Sequence, residues 1–127
     1  MRQFRAAVEA GDHAALGDLL AEDVVFRSPV AFRPYVGRPI VAAILRGVGR
    51  VFTDFRYVRE LDAPDGSALV FETVVDGVSV HGIDLIVLDE HGLIKELTVM
   101  VRPLSGVNAL ATAMAAQFPQ IQAEAGK

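Results

Sequence analysis

The chain has 127 residues, a formal charge of −4 and no cysteine. That excludes disulfides, thiol nucleophiles and cysteine-ligated metals, and the acidic balance argues against general nucleic-acid binding. No apolar run approaches the ~20 residues of a membrane span, and the N-terminal MRQFRAAVEAGDH lacks the apolar core of a signal peptide, so a cytoplasmic location is the default expectation. At this length one domain is predicted, spanning 1–127, and the 52% apolar content exceeds the globular average enough to suggest apolar surface at a pocket or an interface.

Taken in order, Phe4 to Ala10 reads as a short helix closed by Gly11. Asp12 is placed to cap a second helix, HAALGDLLAE, whose Leu16, Leu19 and Leu20 recur at helical spacing. Val24 to Ser28 reads as a strand stopped by Pro29, with Val24, Phe26 and Ser28 on one face. Pro29 to Gly37 reads as a loop carrying two large residues, Phe32 and Tyr35. Pro39 opens a third helix, in which Val41, Ile44, Leu45, Val48 and Phe52 form one face.

From Asp54 the period changes to two. Phe55, Tyr57, Arg59 and Leu61 alternate with Arg56, Val58 and Glu60. Ala63–Gly66 is a turn, Ser67 to Val75 a strand, and Asp76-Gly77 a strong hairpin signal. Two apolar runs, Val80 to Leu88 and Leu93 to Val101, then flank Asp89-Glu90-His91-Gly92 as a long hairpin. Ser105 is placed to cap a last helix with Val107, Leu110, Ala111, Met114 and Phe118 as its stripe. Pro119 is expected to end that helix, leaving 119–127 as a frayed tail. The fold class is α+β: a four-strand antiparallel meander, an early strand, and helices covering one sheet face.

Asp84 is the leading site candidate. It interrupts an apolar strand that reads as covered on both faces, and a buried carboxylate must be paired, hydrogen-bonded or protonated. That environment makes it a candidate acid, base or hydrogen-bond donor. His81 points to the opposite face of the same strand, His91 lies in the hairpin turn, and His13 is expected to be exposed. These histidines form no metal-ligand pattern, and neither a metal nor a cofactor is predicted.

The layout, with EAGDHAALGDLLAEDVVFRSP, YVGRPIVAAI and GIDLIVLDEHGLIKELTVMVRP, resembles the SnoaL-like branch of the nuclear transport factor 2-like superfamily, over about Phe4 to Phe118. The resemblance implies a cone-shaped curved sheet wrapped on three N-terminal helices, with a C-terminal helix. It also implies an apolar pocket inside the cone for a small apolar ligand, and a homodimer through the outer sheet face. Ile83, Leu85 and Val87 are the expected interface residues. The family includes ketosteroid isomerases, polyketide cyclases, limonene epoxide hydrolases and non-catalytic binders or interaction modules. Matched to the isomerase pattern, the oxyanion-hole tyrosine falls on Phe4 and the base aspartate on Ser28, while the oxyanion-hole aspartate matches Asp84. The resemblance thus implies Asp84 as the catalytic residue and Phe4, Phe26, Ser28, Phe32, Tyr35, Phe52 and Met100 as ligand-binding residues.

Overall fold

The computed structural model describes residues 1–126. The helices are α1 (Arg2–Ala10), α2 (His13–Leu19), α3 (Arg38–Val51) and α4 (Leu104–Ala125). The strands are β1 (Leu20–Arg27), β2 (Tyr35–Val36), β3 (Thr53–Ala63), β4 (Gly66–Val75), β5 (Val78–Leu88) and β6 (Ile94–Arg102). They form one curved α+β sheet of order β2-β1-β6-β5-β4-β3. The meander β3 to β6 is antiparallel as expected, but β1 joins β6 in parallel, so the sheet is mixed.

The sequence's punctuation is used where it was read. Gly11 takes the left-handed conformation at φ 66° after α1, and Asp12 Oδ1 accepts from the Ala15 amide at 3.1 Å to cap α2. Asp76 and Gly77 both have positive φ, which is the geometry of a two-residue hairpin turn. At the next turn Asp89 Oδ1 accepts from the amides of His91 and Leu93, and Gly92 supplies φ 80°.

Four local expectations are corrected. The second helix stops at Leu19, because Leu20 and Ala21 enter β1, where Leu20 pairs with Ile94 and is fully buried. Tyr35 and Val36 are a short edge strand on β1 rather than loop. Ser105 does not cap α4, whose cap position is Pro103. Finally α4 does not end at Pro119 but runs to Ala125. Proline removes one helical amide donor, but Pro119 and Ala115 are exposed, so the carbonyl left without a partner is within reach of water. The extra turns are anchored: Ile121 is fully buried, and Glu124 pairs with Arg50 at 3.0 Å and Arg46 at 3.4 Å on α3. Gly47 makes room for that contact, since a β-carbon there would lie 2.7 Å from Ile121 Cδ1.

In β3 the register shifts between Tyr57 and Arg59, with Val58 as the extra residue. Tyr57 therefore stays on the inner face opposite Phe71, while Arg59 moves to the outer face and Glu60 turns inward opposite Leu69. The simple alternation expected for this strand fails at that bulge. Glu60 then accepts from Arg5 on α1 at 3.3 Å.

The inner sheet face and α1, α3 and α4 enclose the core, with Val24, Phe26, Leu69, Phe71, Ile86 and Leu97 from the sheet. No helix among the described residues is long and apolar enough to cross a membrane.

Candidate functional site

Between the inner face and the helices lies an open-mouthed cavity of about 400 Å³. Its walls are mainly apolar, and Asp84, Tyr57, Ser28 and His13 are among its polar lining. The strands set the geometry. Asp84 lies on β5 between Leu69 of β4 and Val99 of β6. Tyr57 stands two strands away, and its hydroxyl reaches over β4 to donate to Asp84 Oδ2 at 3.0 Å. Asp84 is 8% exposed and Tyr57 7%.

Burial disfavours the carboxylate, and the Tyr57 hydrogen bond only partly offsets this, so the Asp84 pKa rises from 3.8 to about 7. Tyr57 is pushed up by burial and by the Asp84 charge, so it holds its proton across the physiological range. The carboxyl is thus available in both protonation states near neutrality while the phenol remains a fixed donor. Among the described residues, no second carboxylate lines the cavity.

An aromatic wall surrounds the pair. Phe55 meets Tyr57 edge-on with centroids 4.9 Å apart and stacks on Phe71 at 5.2 Å, and Phe52 stacks on Phe55 at 5.7 Å. The Arg5 guanidinium lies 5.6 Å from the Tyr57 ring centroid. Tyr35 packs on Phe118 of α4 at 5.8 Å.

Of the residues expected to contact ligand, Phe4, Phe26, Ser28, Tyr35 and Phe52 line the cavity with Asp84. Phe32 and Met100 do not. Phe32 is fully exposed on the loop after β1, and Met100 is 52% exposed opposite Ile83 on the outer sheet face. Met100 follows Val99 on its strand, and the alternation that turns Val99 inward turns Met100 out. Ser28 serves two roles: its Oγ accepts from the Val30 amide at 3.1 Å as a turn starter, and it lines the cavity.

His13 is not exposed as expected. It is half-buried in the cavity wall, against Gly49 of α3. His81 faces outward as predicted and lies 3.3 Å from Arg102. Tyr57 is the site residue that sequence reading missed. The available signal was a lone phenol on an inward position of an otherwise aromatic and charged strand.

The curved mixed sheet wrapped on helices is the nuclear transport factor 2-like fold. The chain belongs to the SnoaL-like domain family, whose model matches residues 1–97. It is similar to a steroid delta-isomerase from Pseudomonas aeruginosa, at 38% identity over 96% of this chain and 90% of that one, with a TM-score of 0.90. An uncharacterised protein with a cystatin-like fold from Silicibacter pomeroyi DSS-3 is 37% identical over 97% and 92%, with a TM-score of 0.87. A nuclear transport factor 2-like protein of unknown function from Mesorhizobium loti, 24% identical over 81% and 88% with a TM-score of 0.71, shares the fold. No curated protein matches the chain.

Proposed function

We propose that the chain binds a small apolar carbonyl compound in the cone and moves a proton on it through Asp84. One observation carries this reading: a buried carboxyl with a pKa near 7, oriented by Tyr57, lines an apolar cavity. The 38% identity to a steroid delta-isomerase supports the same direction.

The chemistry is isomerase- or cyclase-type. On a β,γ-unsaturated ketone, ionised Asp84 takes a proton from the carbon between the carbonyl and the double bond, and the C–H electron pair moves into a dienolate. The protonated carboxyl then returns the proton to the γ-carbon, which moves the double bond into conjugation with the carbonyl. A single group serves as base and then acid because its pKa lies near the working pH. Tyr57 holds the carboxylate in place throughout. Ser28 Oγ accepts from Val30, which leaves its own proton free to donate to the enolate oxygen.

A second reading, a non-catalytic binder, is favoured by the site's sparseness. Phe4 brings no hydroxyl, and among the described residues no second carboxylate lines the cavity. The test is a β,γ-unsaturated apolar ketone followed by proton NMR with wild type and Asp84→Asn. Wild type should shift the double bond, and the variant should bind without converting. Conversion that survives the substitution removes Asp84 from the chemistry, and binding without conversion by wild type selects the binder.

The outer sheet face supports a homodimer. Val70, Ile83, Leu85 and Met100 form an apolar centre across β4, β5 and β6, next to a cross-strand row of Arg56, Glu72, His81 and Arg102. Two copies packed through this face would cover Met100, which is half exposed in the single chain. Sedimentation showing a stable monomer would remove this assembly.

A further inference from the structure

His13 is not used by the chemistry above, and its surroundings are unusual. Among the described residues, its Nδ1 is the buried side-chain nitrogen or oxygen with no hydrogen-bond partner. Buried polar atoms in folded proteins are nearly always paired, so an orphan of this kind calls for a cause. Its ring also occupies a notch in α3. A β-carbon on Gly49 would lie 2.8 Å from His13 Cε1 and 3.4 Å from Nε2. Glycine inside a helix is less stabilising than alanine, so α3 gives up stability at the position that admits the imidazole. The ring is positioned from its own side too, because Asp12 caps α2 and fixes His13 as its first residue.

We infer that His13 is a ligand-binding residue, and that the ligand carries a second oxygen function, separated by an apolar body from the carbonyl beside which Asp84 acts. This rests on the reading of the cavity as an apolar-ligand site and specifies the ligand further. The sheet wall supplies Asp84 and Tyr57, and the helical wall supplies His13, in a cavity whose other lining is mainly apolar and aromatic. A half-turn of the imidazole about Cβ–Cγ exchanges its two edges without changing its outline, so the edge facing the cavity can present a nitrogen to a ligand hydroxyl or carbonyl. Such a bond gives the orphaned nitrogen its partner when ligand binds. A ligand with only one oxygen would leave His13 unpaired in a drier site, which lowers its affinity relative to a two-oxygen analogue.

The experiment is calorimetric titration of the whole protein with two saturated steroid probes, a 3-ketone and the corresponding 3,17-dione. Wild type should prefer the dione about tenfold. His13→Ala should reduce the ratio of the two affinities to about one. Gly49→Ala, which drives the ring from its notch, should reduce it as well, and it serves if His13→Ala fails to fold. Equal wild-type affinities for the two probes, or a preference that survives both substitutions, overturns the role of His13 and leaves the apolar-ligand reading standing. Binding of neither probe overturns both.

Discussion

The tip of the Phe71 ring sits over Gly82 on the neighbouring strand: a β-carbon on residue 82 would come within 2.3 Å of Phe71 Cζ. Gly82 and Phe71 are direct cross-strand partners on the inner face, two positions from Asp84 along β5. The missing side chain lets the ring lie down beside Phe52 and Phe55 instead of standing in the cavity. Gly82→Ala should therefore destabilise the fold by about 1–3 kcal/mol through overpacking. Urea denaturation would measure it, and a variant as stable as wild type would show that the ring can shift freely.

Asp84 ties stability to pH. Its pKa is raised in the folded chain, so the folded state holds the proton more tightly than the unfolded state. The group favours folding least above pH about 7, and that disadvantage disappears as pH falls towards 4. Asp84→Asn removes the linkage. The variant should be more stable than wild type at pH 8, by up to about 4 kcal/mol, with the difference shrinking between pH 7 and 4. Parallel thermal melts across that range would test this, and a difference that does not vary with pH would contradict it.

Tyr57 opposes the effect of burial on Asp84 by donating to Oδ2. Tyr57→Phe removes that donor and keeps the ring against Phe55. The Asp84 pKa should rise further, because the carboxylate loses its hydrogen bond while its burial is retained. Carbon-13 NMR titration of the carboxyl would follow it. An unchanged or lowered midpoint would mean that the bond does not stabilise the charged form.

Ile121 anchors the last turns of α4. Ile121→Ala should cost about 2–5 kcal/mol, as for a fully buried side chain. A loss within ±0.5 kcal/mol, the usual effect at an exposed position, would show instead that these turns fray.

Much of this fold was legible because local chemistry and global topology agree. Asp76-Gly77 and Asp89–Gly92 form the turns their residues require, and Asp84 faces inward as its place in an apolar run suggested. Several failures share a cause, which is contact between distant segments. Pro119 reads as a helix stop, yet Arg46, Gly47 and Arg50 of α3 hold the helix beyond it. The inward set of β3 is re-phased at Val58, a bulge that alternation alone does not reveal. Tyr57 gains its importance only when β4 places it opposite Phe71 and within reach of a strand two places away. Met100 was misplaced by one residue's worth of alternation. His13 reads as a solvated first-turn residue until α3 brings Gly49 against it.

The chain has two tyrosines and no tryptophan, and both tyrosines, Tyr35 and Tyr57, line the cavity. The protein's ultraviolet emission therefore comes from phenols in the cavity wall. One of these is hydrogen-bonded to a carboxyl, and carboxylates quench phenol emission. Occupancy of the cone and the ionisation of Asp84 should both register in that signal, which gives an unlabelled optical readout of the site in the native chain.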